Sequence, residues 1–130
     1  MAEKEPSQRQ LRVGQEIKKI IAKQIERDEI RNLQNVGTLV TIMEVRVSPD
    51  LKYATVYVIT SDKNKELEVI GGLQLASNYL RKVIMSKTEL RYVPELNFKI
   101  DKSFEEVDKI EKLLRDPKVA RDLQATKTEE

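Results

Sequence analysis

Residues 52–60, KYATVYVIT, constrain the fold of this chain more than any other stretch. β-branched and aromatic side chains dominate it, which suits a pleated surface and makes a poor helix. Tyr53, Thr55, Tyr57 and Ile59 alternate with Ala54, Val56 and Val58. Both faces are partly apolar, so a central strand is expected. Immediately upstream, Ser48-Pro49-Asp50-Leu51 has the composition of a turn, with proline at its second position. Before the turn, Leu39, Thr41, Met43, Val45 and Val47 would share one strand face, and Val40 and Ile42 the other. A β-hairpin over residues 39–60 is therefore predicted.

Helical periodicity flanks this hairpin. From Arg9 to Ile30, Val13, Ile17, Ile20, Ile21 and Ile25 recur at steps of three and four, which places them on one helix face. After a polar loop at 61–65, a second helical stretch runs from Glu66 to Lys87. Its stripe is Val69, Leu73, Ala76, Leu80, Val83 and Ile84. Two features interrupt it. Gly71-Gly72 weakens its first half, and Ala76-Ser77-Asn78 brings together small residues that bond readily to local backbone. A kink or break there predicts two helices. Tyr92 to Asp101 reads as a third strand, with Leu96, Phe98 and Ile100 on one side. Pro94 belongs at a sheet edge or just outside the ladder. Ser103-Phe104-Glu105-Glu106 is a capping box for a short last helix, which Asp116-Pro117 ends.

The order is α-β-β-α-(kink)-α-β plus a short C-terminal helix. A helical crossover makes the second and third strands parallel. The expected fold class is α+β, with a three-stranded mixed sheet and helices on one face. Residues 1–8 read as a flexible N-terminus, 9–115 as one domain and 116–130 as a polar, disordered tail.

Composition narrows the chemistry. The 130 residues include no cysteine and no histidine. This excludes disulfide frameworks, cysteine nucleophiles, zinc fingers and sites built on imidazole. No phosphate loop, dinucleotide fingerprint or calcium loop occurs. A binding protein is therefore favoured over an enzyme, with no metal and no cofactor. No apolar run is long enough for a membrane span, and the polar N-terminus is no signal peptide, so a cytoplasmic location is expected. Aromatics are 5% of the chain, which argues against a platform for stacking bases.

Charge is nearly balanced at +2, so any nucleic-acid surface must come from local segregation. Such segregation is present. At about 100° per residue, Arg9, Arg12, Lys19, Lys23 and Arg27 fall in an arc about 80° wide, which only Glu16 closely interrupts. The acids Glu26, Asp28 and Glu29 would crowd the C-terminal end of the same helix, against its dipole.

Several of these motifs together resemble the bacterial ribosome-binding factor A family. They are Val40-Thr41-Ile42, Val45, Val47-Ser48, Asp50-Leu51, Ala54 and Val56-Tyr57-Val58. Arg91, Pro94-Glu95-Leu96, Phe98, Asp101 and Ser103 also fit, as do Arg9, Arg12-Val13, Ile17 and Ile21. The resemblance spans about Ser7 to Leu114. It implies a type II KH-like fold and a non-catalytic, cold-shock-linked assembly factor. Such a factor binds the free or immature small ribosomal subunit and its rRNA and assists late rRNA processing. The family lacks the Gly-x-x-Gly clamp of ordinary KH domains and carries an Ala-x-Gly kink. Here Ala76-Ser77-Asn78 stands in that place, with asparagine for the glycine. Either a positive φ at Asn78 preserves the bend, or Asn78 keeps helical angles and only bonds locally.

The residues expected to meet RNA are the five cations of the first helix, Lys63 and Lys65, the kink residues Ala76, Ser77 and Asn78, and then Arg81, Lys82, Lys87 and Arg91. Cations of this kind position a protein on phosphates and carry little sequence information. A monomer with no small-molecule substrate is expected. The alternative is a KH-like protein–protein adaptor that does not touch RNA.

Overall fold

A computed structural model describes residues 5–103 of the chain. Helix α1 spans Gln8–Glu26, starting one residue earlier than the periodicity implied. Its start is fixed by a reciprocal capping box. The Ser7 hydroxyl accepts from the Gln10 backbone N–H at 3.1 Å, and the Gln10 side chain accepts from the Ser7 N–H at 2.9 Å. Such a box satisfies two N–H groups that the first helical turn leaves without partners.

The helix does not run on to Ile30. Asp28 takes φ 55°, and the Asp28 and Glu29 N–H groups donate back to the Ile25 and Gln24 carbonyls at 3.0 Å. This paired closure ends a helix through one left-handed residue. Asp28 and Glu29 therefore lie beyond the helix, and only Glu26 opposes its dipole from within. Ile30, freed from the helix, is buried at the start of a single 3-10 turn, Arg31–Leu33.

Strands β1 (Val40–Val47) and β2 (Tyr53–Thr60) form the antiparallel hairpin. Its turn closes through Leu51 N–H to the Ser48 carbonyl at 2.9 Å, with Pro49 second, as predicted. Leu51 sits at φ 61°, a cost that its packing against the core offsets. Asp50 accepts from the Ser48 hydroxyl at 2.6 Å and the Lys52 N–H at 3.1 Å. These bonds hold its carboxyl below the usual range.

The expected faces of β1 require correction. Ile42 pairs with Val58, but Glu44 pairs with Tyr57, so Met43 is an extra residue in a bulge. A bulge shifts the alternation by one. Val40 and Ile42 thus face the core before it, and Val45 and Val47 after it. Leu39, expected to share a face with Val45 and Val47, precedes the strand and is 76% exposed.

A 3-10 turn at Lys63–Lys65 leads into α2 (Glu66–Leu75), followed by α3 (Ser77–Lys87) and β3 (Glu95–Ile100). β3 runs parallel to β2, giving the sheet order β1-β2-β3 with β2 central. Pro94 is buried just before the β3 ladder begins. The outer edge of β3 is closed by Gln74, whose side chain donates to the Leu96 carbonyl at 3.0 Å and accepts from the Phe98 N–H at 3.3 Å. An edge satisfied in this way offers fewer groups to a stray strand.

Helices and sheet bury one core. Ile17 and Ile21 of α1, Val69 and Leu73 of α2, and Leu80 and Ile84 of α3 pack with Ala54, Val56 and Val58 of β2, all fully buried. Each such aliphatic side chain contributes about 1.5–3 kcal/mol through burial. Two glycines set how closely the layers approach. A Cβ on Gly14 would lie 2.7 Å from the Val45 carbonyl oxygen, and one on Gly72 would lie 2.8 Å from that of Asn32.

The break between α2 and α3 falls on Ala76, at φ −83° and ψ 0°. That ψ departs from the helical value near −42° and bends the chain without leaving right-handed space. Asn78 lies inside α3, and the described non-glycine residues at positive φ are Asp28 and Leu51. Of the two conformations open to Asn78, positive φ or helical angles, the structure has the second, and one residue with ψ near zero already makes the bend. Asn78→Gly is then expected to be less stable than Asn78→Val, by roughly 0.3–0.5 kcal/mol, because glycine is the poorer helix former. Melting curves of the two variants check this order.

Of the described residues, 5–100 belong to one compact unit and 101–103 to a second. Of the second, Ser103 donates to the Asp101 carboxylate through its N–H at 2.9 Å and its hydroxyl at 2.6 Å. The expected helix after Ser103 lies outside the described residues.

Candidate nucleic-acid interface

The cations of α1 are set by the burial of its opposite face. Val13, Ile17, Ile21 and Gln24 are buried, which leaves Arg9, Arg12, Lys19 and Lys23 exposed along one flank. Arg27 is the C-cap residue, one position past the helix, and is also exposed. No described acid lies within ion-pair distance of Arg9, Arg12, Lys19 or Lys23. The described pairs are Arg46–Glu44 at 3.1 Å and Lys65–Glu68 at 3.5 Å.

α3 lies alongside α1. The Tyr79 hydroxyl donates to the buried Gln24 side chain at 2.7 Å, joining the start of α3 to the end of α1. At their other ends, Arg9 and Arg12 of α1 and Lys87 of α3 line one groove of about 690 Å³, together with Glu16, Thr88 and Glu89. Three predicted cations from two distant segments therefore converge. The N-terminal end of α1 adds the positive pole of its dipole, which the C-terminal end of α3 partly offsets. A concave surface carrying several cations concentrates potential and attracts polyanions.

The other predicted residues divide. Lys82 and Arg91 are exposed. Lys63 and Lys65 occupy the separate turn before α2, where Lys65 pairs with Glu68. Ala76 is buried, Ser77 half-buried and Asn78 exposed. Arg81 is engaged inside the fold. Its Nη2 donates to the Val93 carbonyl at 2.9 Å, its guanidinium lies 6.0 Å from the Tyr92 ring centre, and its Nε is buried with no partner among the described residues. It ties α3 to the segment entering β3. Arg81→Gln is therefore expected to cost on the order of 1 kcal/mol of stability. Melting curves check that prediction.

Sequence reading missed Gln24, whose spacing of three from Ile21 was the available signal. Among the described residues, no group of three or more acidic side chains is arranged to hold a metal ion, and no helix is long and apolar enough to cross a membrane.

The α-β-β-α-α-β order, the mixed sheet and the helix pair broken at Ala76 define a type II KH-like domain. The sequence profile described as Ribosome-binding factor A matches residues 9–114, and the chain belongs to that family. It is 44% identical over 120 residues to the ribosome-binding factor A of Paramagnetospirillum magneticum, covering 92% of this chain and 84% of that one. It is 41% identical over 122 residues to that of Rhodospirillum rubrum, covering 94% and 74%. Among solved structures, a putative ribosome-binding factor A of Thermotoga maritima aligns at TM-score 0.62 and 26% identity, over 78% of this chain and 94% of that one. The Thermus thermophilus ribosome-binding factor A aligns at TM-score 0.59 and 24% identity, over 70% and 94%, which supports the fold.

Proposed function

We propose that this protein is a non-catalytic assembly factor that binds the small ribosomal subunit through its rRNA. It assists late rRNA processing and subunit maturation, acts in cold adaptation, and works as a cytoplasmic monomer. The observation that carries the reading is the convergence of Arg9, Arg12 and Lys87 on one groove, with Lys19 and Lys23 continuing the same flank of α1. Family membership supplies the ribosome as partner. A homology model of the Thermus thermophilus ribosome-binding factor A, fitted into a map of a 30S complex, shares the fold at TM-score 0.56. Cations spaced along a helix suit phosphates, which fix position and register, so recognition of rRNA shape is expected. Glu16 and Glu89 at the groove disfavour indiscriminate binding to any polyanion.

The test is binding of the full chain to purified immature small subunits across a salt series, with chemical footprinting of the rRNA. Affinity that falls steeply with salt, with protected rRNA nucleotides, supports the reading. Salt-independent binding with no rRNA protection would favour the protein adaptor instead.

A further inference from the structure

The sheet has a second face. The helices pack against Ala54, Val56 and Val58, so alternation sends Tyr53, Thr55, Tyr57 and Ile59 to the opposite side. Tyr53 is 57% exposed, and Thr55 and Tyr57 are half-buried between their neighbours. The two rings lie roughly 13 Å apart along one central strand. From β1, Arg46 pairs with Thr55 and Glu44 with Tyr57; from β3, Glu95 pairs with Tyr53, Asn97 with Thr55 and Lys99 with Tyr57, so the two cations are matched by two acids. The Arg46 guanidinium lies 5.6 Å from the Tyr57 ring centre, while its Nε donates to Glu44 at 3.1 Å. Six aromatics are few for a chain of this length, yet two of them share this one strand face.

We propose that this face takes unpaired RNA bases, with Tyr53 and Tyr57 each stacking one base. Asn97 and Thr55 offer hydrogen bonds to base edges between the rings, and Arg46 and Lys99 meet the backbone that connects them. Tyrosines on a sheet surface stack bases in other RNA-binding folds because every base has a π-face. A protein partner fits less well, since charged residues are depleted from the centre of protein interfaces and here they flank the rings on both sides. A duplex fits less well still, because its bases are already stacked. The proposal rests on the RNA-binding reading above but uses a different surface from the α1–α3 groove.

The probe is a labelled oligouridylate, which stays unpaired, titrated into the full chain at several salt concentrations. Tyr53→Leu/Tyr57→Leu keeps apolar bulk and removes both rings. It should weaken binding by about tenfold or more per ring, with the salt slope unchanged. Tyr53→Phe/Tyr57→Phe keeps both rings and should bind within a few-fold of the parent. Melting curves of the Leu variant show whether any loss comes from unfolding. The proposal is overturned if the parent does not bind the probe, if the Leu variant binds like the parent, or if the Phe variant loses as much as the Leu variant. Subunit binding by the same proteins separates the two readings. Lost oligouridylate binding with steep, salt-sensitive subunit binding would leave the α1–α3 groove reading standing.

Discussion

Gly72→Ala is expected to destabilise the protein by about 1 kcal/mol, while Gly71→Ala, one residue away, stabilises it. Both changes improve intrinsic helix propensity by about 1 kcal/mol, so packing decides the sign. A Cβ at Gly71 meets nothing within 4 Å, and the propensity gain is realised. A Cβ at Gly72 would stand 2.8 Å from the Asn32 carbonyl oxygen and 3.1 Å from a Leu33 methyl. The first neighbour is backbone and cannot swing away. Either α2 or the Arg31–Leu33 turn must retreat, loosening Val69 and Leu73, both fully buried. Overpacking of this kind costs about 1–3 kcal/mol or more, enough to reverse the propensity gain. At roughly 4–8 °C per kcal/mol for a domain of this size, the two variants should melt on opposite sides of the parent. A Gly72→Ala protein at least as stable as the parent would show that α2 does not need this approach.

That contrast was invisible in the sequence, where Gly71-Gly72 read only as two weak helix positions. Local signals were legible where one residue type decides the geometry. The alternation of 53–59, the Ser48–Leu51 turn and the stripe of α1 each translate directly into structure. The bulge at Met43 did not, because Leu39-Thr41-Met43 and Val40-Ile42 are both apolar enough to face a core. Only pairing with β2 selects the second set. The end of α1 was hidden for a related reason: Ile30 continues the apolar period, yet Asp28 turns the chain first.

The interface divides in the same way. The arc of α1 follows from periodicity alone. That Lys87 joins Arg9 and Arg12 depends on how α3 lies against α1, and no local pattern encodes it. Arg81 illustrates the converse, a cation that composition offers to phosphate and that tertiary structure assigns to the Val93 carbonyl.

Exchange of Arg12, Lys19 and Lys23 for glutamine is expected to weaken small-subunit binding by on the order of a hundredfold at low salt. The salt slope should fall by about 2–3, close to 0.7–0.9 for each phosphate contact removed. Folding should change by less than about 0.5 kcal/mol per site, because all three side chains are exposed and no described acid pairs with them. Glutamine keeps length and helix propensity, so the loss isolates charge. Lys87→Gln adds a second step. If the groove holds one stretch of backbone between α1 and α3, removing Lys87 should cost more in the parent than in the triple variant, because it shares a ligand with Arg12. Additive losses would place Lys87 and Arg12 on separate phosphates. An unchanged slope in the triple variant would remove Arg12, Lys19 and Lys23 from the RNA interface. Binding would then have to come from the cations left in place, Arg9, Arg27, Lys82, Lys87, Arg91 and the turn at Lys63–Lys65.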